Sequence, residues 1–185
     1  MGRKQIQVFR SVLVALLISI AVVSCGGGGG GGLRFQIPER KVGNFPDVEG
    51  NWSVFLQRGT STCPREVENI IMASLLEDNP STWIFTQPEG TEVNTVVINT
   101  MSEDGQVWRG GFANVRTILV ERPDFGETDP SGVVLASQVR MRLELRSIDT
   151  FSGSLSFRLS ITVFEPPTTI DCFVSVPLTG ERIVS

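Results

Sequence analysis

Apolar and polar positions along this chain follow three successive patterns. An apolar stretch runs from Val12 to Val23, then glycines fill Gly26 to Gly32, and after Gly50 the hydrophobic period becomes two almost everywhere. The period of two predicts strands, because successive side chains of an extended chain point to opposite faces. Eight runs carry it: Gly50–Gln57, Trp83–Gln87, Glu92–Thr100, Gln106–Ala113, Val115–Arg122, Val133–Ser147, Ser154–Glu165 and Ile170–Ile183. The longest are strict. Val139, Met141, Leu143 and Leu145 alternate with Arg140, Arg142, Glu144 and Arg146, while Leu155, Phe157, Leu159, Ile161 and Val163 alternate with serines, Arg158 and Thr162. Such strands bury one face and pair antiparallel. One segment breaks the rule: from Pro64 to about Glu77, Val67, Ile70, Ile71, Ser74 and Leu75 share one face of a helix, with Thr62 as cap, Pro64 in the first turn, and Asn79-Pro80 as the stop.

The apolar stretch is too short for a permanent membrane span, which takes about 20 residues. Behind Arg3, Lys4 and Arg10 it has the layout of an export signal. The tetrapeptide Val22-Val23-Ser24-Cys25 at its end resembles the lipobox of bacterial lipoproteins. That resemblance implies cleavage before Cys25, acylation of Cys25 and attachment to a cell-envelope membrane, the outer one in a host with two. The glycines that follow read as a flexible tether. Residues 1–24 are thus expected to be signal peptide, 25–49 the lipidated cysteine, tether and a surface approach segment, and 50–185 one domain.

Lipidation of Cys25 leaves Cys63 and Cys172, an even pair in an oxidising compartment, which predicts a disulfide. The sixteen basic and twenty acidic residues include Arg3, Lys4 and Arg10 of the signal, so the remainder carries −7. An acidic domain has no electrostatic hold on nucleic acid. The chain has no histidine, which removes the commonest general base and metal ligand. Glu89 with Glu92 and Asp124 with Glu127 sit in turn-rich stretches and read as solvated loop charge. The carboxylates of Pro123–Pro130 do not have calcium-loop spacing. No catalytic residue, metal or cofactor is assigned, and the chain is not expected to be an enzyme. Without tyrosine, and with Ile183-Val184-Ser185 at its end, it also lacks the aromatic girdles of an outer-membrane barrel. The apolar faces therefore belong inside.

Eight sequential strands predict a mainly β fold, an antiparallel up-and-down eight-stranded barrel with one short α-helix after strand 1. In a closed barrel the first and last strands pair antiparallel, so facing residues have a near-constant sum of positions. Cys63 with Cys172 and Trp52 with Arg182 satisfy nearly the same sum. Gly50-Asn51-Trp52 opening the first strand, with Arg182 late in the last, resembles the signature of lipocalins and related calycin barrels. The resemblance implies an arginine packed across the tryptophan and bonded to first-strand backbone. Trp52, Trp83, Phe85, Met141, Leu143, Phe157, Leu159 and Ile161 are the candidates to line the interior. They could enclose a small hydrophobic ligand, or fill the barrel and leave the surface to a protein partner.

Overall fold

The computed structural model describes residues 36–77, 79–100, 106–123, 125–129, 132–164 and 167–184. Cys25, the signal, the glycine tether and the Glu103-Asp104-Gly105 turn lie outside the described residues. Ten strands and a helix follow in order: β1 (Gly50–Leu56), β2 (Thr60–Ser61), α1 (Arg65–Leu76), β3 (Ser81–Thr86), β4 (Thr95–Thr100), β5 (Gln106–Asn114), β6 (Thr117–Glu121), β7 (Phe125–Asp129), β8 (Gly132–Leu145), β9 (Thr150–Phe164) and β10 (Pro167–Arg182). All pairings are antiparallel, and β1 pairs β10. Eight staves therefore close into the expected up-and-down barrel, β1-β3-β4-β5-β6-β8-β9-β10. β2 continues the line of β1 along β10, and β7 continues the line of β6 along β8.

Trp52 faces Arg182 across the closing seam, and Cys63 is bonded to Cys172 with the two Cα atoms 4.8 Å apart. Both follow from the register read in the sequence. Gly50, at the first position of β1, has φ +136°, a conformation L side chains rarely adopt. A Cβ there would also stand 3.4 Å from Nε of Arg182.

The end at which β1 begins and β10 finishes is the lower end. It is stopped by aromatic rings: Trp52, Phe85 and Phe151 lie 5.2 to 5.6 Å apart between centroids. Gly180 makes room for them, since a Cβ on it would fall 2.2 Å from the Phe151 ring. Outside the rings runs the segment before β1, expected on the surface as a mere approach. It is instead built into the barrel. Val48 is fully buried, its N–H donating to Gln87 Oε1 and its carbonyl accepting from Trp52 Nε1. Phe45 stacks on Phe112 at 5.5 Å. The buried Asn94 side chain accepts from Lys41 N and donates to the Glu39 carbonyl, so the folded unit reaches back to Glu39.

At the upper end β8, β9 and β10, of 14, 15 and 16 residues, outrun staves of 5 to 9 residues. Their surplus forms a sheet above the rim, its inner face made of Val134, Ala136, Leu159, Ile161, Val163 and Cys172. An apolar sheet face needs a cover. α1 supplies it, with Val67 and Met72 buried in the same cluster and Ile71, Leu75 and Leu76 packed against it. The disulfide fixes the chain just ahead of α1. Just after it, the Asn79 carboxamide bonds both the N–H and the carbonyl of Leu56.

Three expectations need correction. Thr62 does not cap the helix: α1 has no side-chain cap, and Thr62 Oγ1 accepts from Phe173 N instead. The buried face of α1 turns toward Met72, which the sequence reading left out. The stretch read as a loop between Pro123 and Pro130 contains β7, paired with β8 from Phe125↔Ala136 to Asp129↔Gly132.

Candidate functional site

The eight residues expected to line the interior all face inward and are all buried, but they occupy two storeys. Trp52, Trp83, Phe85, Met141 and Leu143 lie within the closed barrel, where β8 still pairs with β6. Phe157 sits at the rim opposite Val174. Leu159 and Ile161 face Cys172 and Ile170 above it, on the sheet that α1 covers. A strand's alternation continues unchanged through a rim, so parity alone merged the two storeys.

Within the closed storey, Trp52 and Val54 of β1, Phe85 of β3, Val96 and Ile98 of β4, Ile118 and Val120 of β6, Met141 and Leu143 of β8, and Val174 and Val176 of β10 have no accessible surface. A void large enough for a water would leave accessible area on the side chains around it. These residues come from six of the eight staves, so side chains fill the interior around them, while the inward-facing Trp83, Leu155 and Phe157 keep 5 to 7% exposure.

One polar feature interrupts this. Trp108 of β5 is 3% exposed and packs in the core, yet its indole Nε1 is buried with no hydrogen-bond partner among the described residues. Trp Nε1–H can only donate, and an indole buried this deeply usually finds an acceptor. The Arg122 guanidinium, immediately beyond β6, sits 5.8 Å from the centroid of that ring. Burial alone lowers the Arg122 pKa, though arginine remains charged in the physiological range. Trp108 was visible in the sequence as an inward-phase residue of its strand, but its missing acceptor was not.

At the lower end Arg182 lies 6.0 Å over Trp52, donates to the Glu49 carbonyl, and approaches Asp47 Oδ1 at 3.4 Å. Arg182 thus packs across Trp52, and the carbonyl it bonds belongs to Glu49, one residue ahead of β1. It locks the segment before β1 across the foot of the barrel.

Of the remaining candidates, Glu89 is held in a structural role. Glu89 is paired with Arg40 and accepts from Thr95 Oγ1 at 3.1 Å. The Arg40 hydrogen bond is the main reason its carboxyl stays below the usual range. A carboxylate held ionised in this way is a poor general acid. The side chains of Asp124 and Glu127 lie outside the described residues. Among the described residues, no three histidine, cysteine or acidic side chains are placed to hold a metal.

No protein-family model, curated protein or solved structure matches the chain. Its site must be read from its own geometry. That geometry offers a barrel whose central side chains are buried, a disulfide-anchored helix over the upper end, and a strap locked under the lower end.

Proposed function

We propose that the chain is an exported bacterial lipoprotein, anchored to a membrane of the cell envelope through acyl groups on Cys25, whose filled barrel is a rigid scaffold offering its surface to a partner in that compartment. The observation that carries the scaffold reading is the ring of central side chains with no accessible surface. A barrel built to carry a ligand leaves room at that level. The absence of histidine and the acidic domain argue against hydrolytic and nucleic-acid roles. The anchor reading rests on Val22-Val23-Ser24-Cys25 between an apolar leader and seven glycines. In a two-membrane host the outer membrane is the proposed home. Cys25→Ser is expected to move the protein from the membrane to the soluble envelope fraction and to abolish fatty-acid labelling. Continued labelling of that variant would overturn the anchor.

A second reading, carriage of a small hydrophobic molecule, is favoured by the unpartnered Trp108 Nε1, which a polar group on such a molecule would satisfy. Native mass spectrometry of the Cys25→Ser chain separates the two. We expect the bare mass of the disulfide-bonded chain. Added mass that leaves on denaturation and extracts into solvent would establish the carrier and end the scaffold reading.

A further inference from the structure

The exposed large apolar side chains are unevenly distributed. Ten are exposed among the described residues, and the five within strands, Phe55, Val107, Leu135, Phe164 and Phe173, lie on the walls toward the upper end. The other five are Val42, Val115, Ile148, Ile183 and Val184. Val42 is in the strap and bridges to Val93, just ahead of β4. Val115 is in the β5–β6 turn and Ile148 in the β8–β9 turn, while Ile183 and Val184 follow β10. Every one of these places is at the lower end. Four of them are also the most exposed of the ten, at 86% for Val184, 71% for Val42, 63% for Ile148 and 57% for Val115.

Single exposed apolar residues are ordinary on a soluble surface. An aliphatic residue on each of four separate segments at one end of a barrel is a pattern. Three also have a basic neighbour: Lys41 beside Val42, Arg116 beside Val115, and Arg146 two residues before Ile148. Apolar tips with flanking cations match the boundary between acyl chains and head groups. The course of the chain selects the same end. Residues 1–35, outside the described structure, join the barrel through Glu39 and Lys41, both bonded to Asn94 at the foot of β4. Only fourteen positions separate Glu39 from Cys25. A link of that length spans at most about 50 Å when fully extended, so a lipid on Cys25 tethers the domain to the bilayer by this end.

We infer that the lower end of the barrel is a bilayer-contacting face, its four aliphatic tips dipping into the head-group region of the membrane that holds the anchor. The inference rests on the anchored reading for proximity, and on the tips for the contact itself. Asp47, Glu49, Glu89, Glu92, Asp149 and Glu181 share this end, so apolar insertion rather than a net positive field drives the contact. The upper end, with α1 and the tall sheet, then faces away from the membrane and is the side left for a partner.

Tryptophan reporters test this, because Trp52, Trp83 and Trp108 are all buried. The lipidated mature chain carrying Ile148→Trp is reconstituted in vesicles of phosphatidylethanolamine and phosphatidylglycerol with brominated acyl chains. A Val107→Trp chain, reporting from the wall near the upper end, is the control. Flotation with the vesicles reads the anchor, and quenching reads the contact. The expected result is flotation of both chains, with a blue-shifted emission and loss of most reporter intensity for Ile148→Trp alone. Flotation without selective quenching at Ile148→Trp would overturn the contact and leave the anchor standing. Chains that fail to float would remove both.

Discussion

Leu143→Asp leaves the barrel unable to fold. Leu143 lies near the lower end of β8, opposite Ile118 on β6 and Gly153 on β9, and has no accessible surface. Truncating a leucine in such a place costs about 2 to 5 kcal/mol through lost transfer energy and the cavity left behind. Aspartate adds the burial of a carboxylate, or of its neutral form without a partner, at several kcal/mol more. Together these approach the roughly 5 to 15 kcal/mol that holds a domain of this size together. The neighbourhood offers little relief. Gly153 has its backbone against the carbonyl of Arg142, and a Cβ on it would come 2.9 Å from Leu143 Cδ2. With no room for water to reach the charge, the variant should be recovered insoluble, or without the near-ultraviolet dichroism of the packed tryptophans. A lined, hydrated pocket would behave differently: aspartate would be solvated there and the barrel would survive. A soluble variant with native dichroism would therefore sink the filled interior and, with it, the scaffold reading.

The barrel was legible because one physical rule, the period of two, governs nearly all of it. Each stave has one buried face, so Met141 and Leu143 point inward for the reason that Arg140 and Arg142 point outward. The closing seam could be read because antiparallel pairing fixes a sum of positions, and Trp52↔Arg182 and the Cys63–Cys172 bond obey it. Features that owe nothing to the period were missed. The strap before β1 has no period: it is held by Asn94, Gln87 and Phe112, polar and aromatic groups whose strap partners lie 39 to 67 positions from them in sequence. β7 escaped because Phe125-Gly126-Glu127-Thr128-Asp129 contains turn formers and carboxylates, and it is a strand only because β8 projects beyond β6 and offers an edge.

The candidate site was legible to a lesser degree, for a related reason. Alternation says which side a residue faces and nothing about its height along the barrel, so Leu159 and Ile161 were grouped with Met141 although α1 covers them. Gly110-Gly111 stay in regular register, and the irregularity falls between Phe112 and Asn114. What the two glycines provide is room: a Cβ would meet the Leu119 carbonyl oxygen at 2.0 Å and the Asn94 carbonyl oxygen at 2.2 Å. The aliphatic tips at the lower end are single residues in unrelated turns, and only the topology gathers them.

Cys63→Ser is expected to lower stability by about 2 to 5 kcal/mol and to leave Cys172 as a free thiol. The two cysteines are separated by 109 positions, so their bond constrains most of the unfolded domain, and in the chain-entropy treatment a loop of that order contributes up to about 5 kcal/mol. The folded state should lose less. Thr62 still pairs with Phe173 through Thr62 N to the Phe173 carbonyl and Phe173 N to Thr62 Oγ1, so the chain beside β10 keeps its place without the sulfur bridge. The variant should therefore retain its native dichroism while its denaturation midpoint falls. Cys172 is buried, so its thiol should react slowly in the folded protein and at once in denaturant. A midpoint equal to that of the parent would mean that the bond does not restrict the unfolded chain. Loss of native dichroism without denaturant would mean that α1, whose first residue lies two positions beyond Cys63, keeps its seat on the tall sheet only through the bridge.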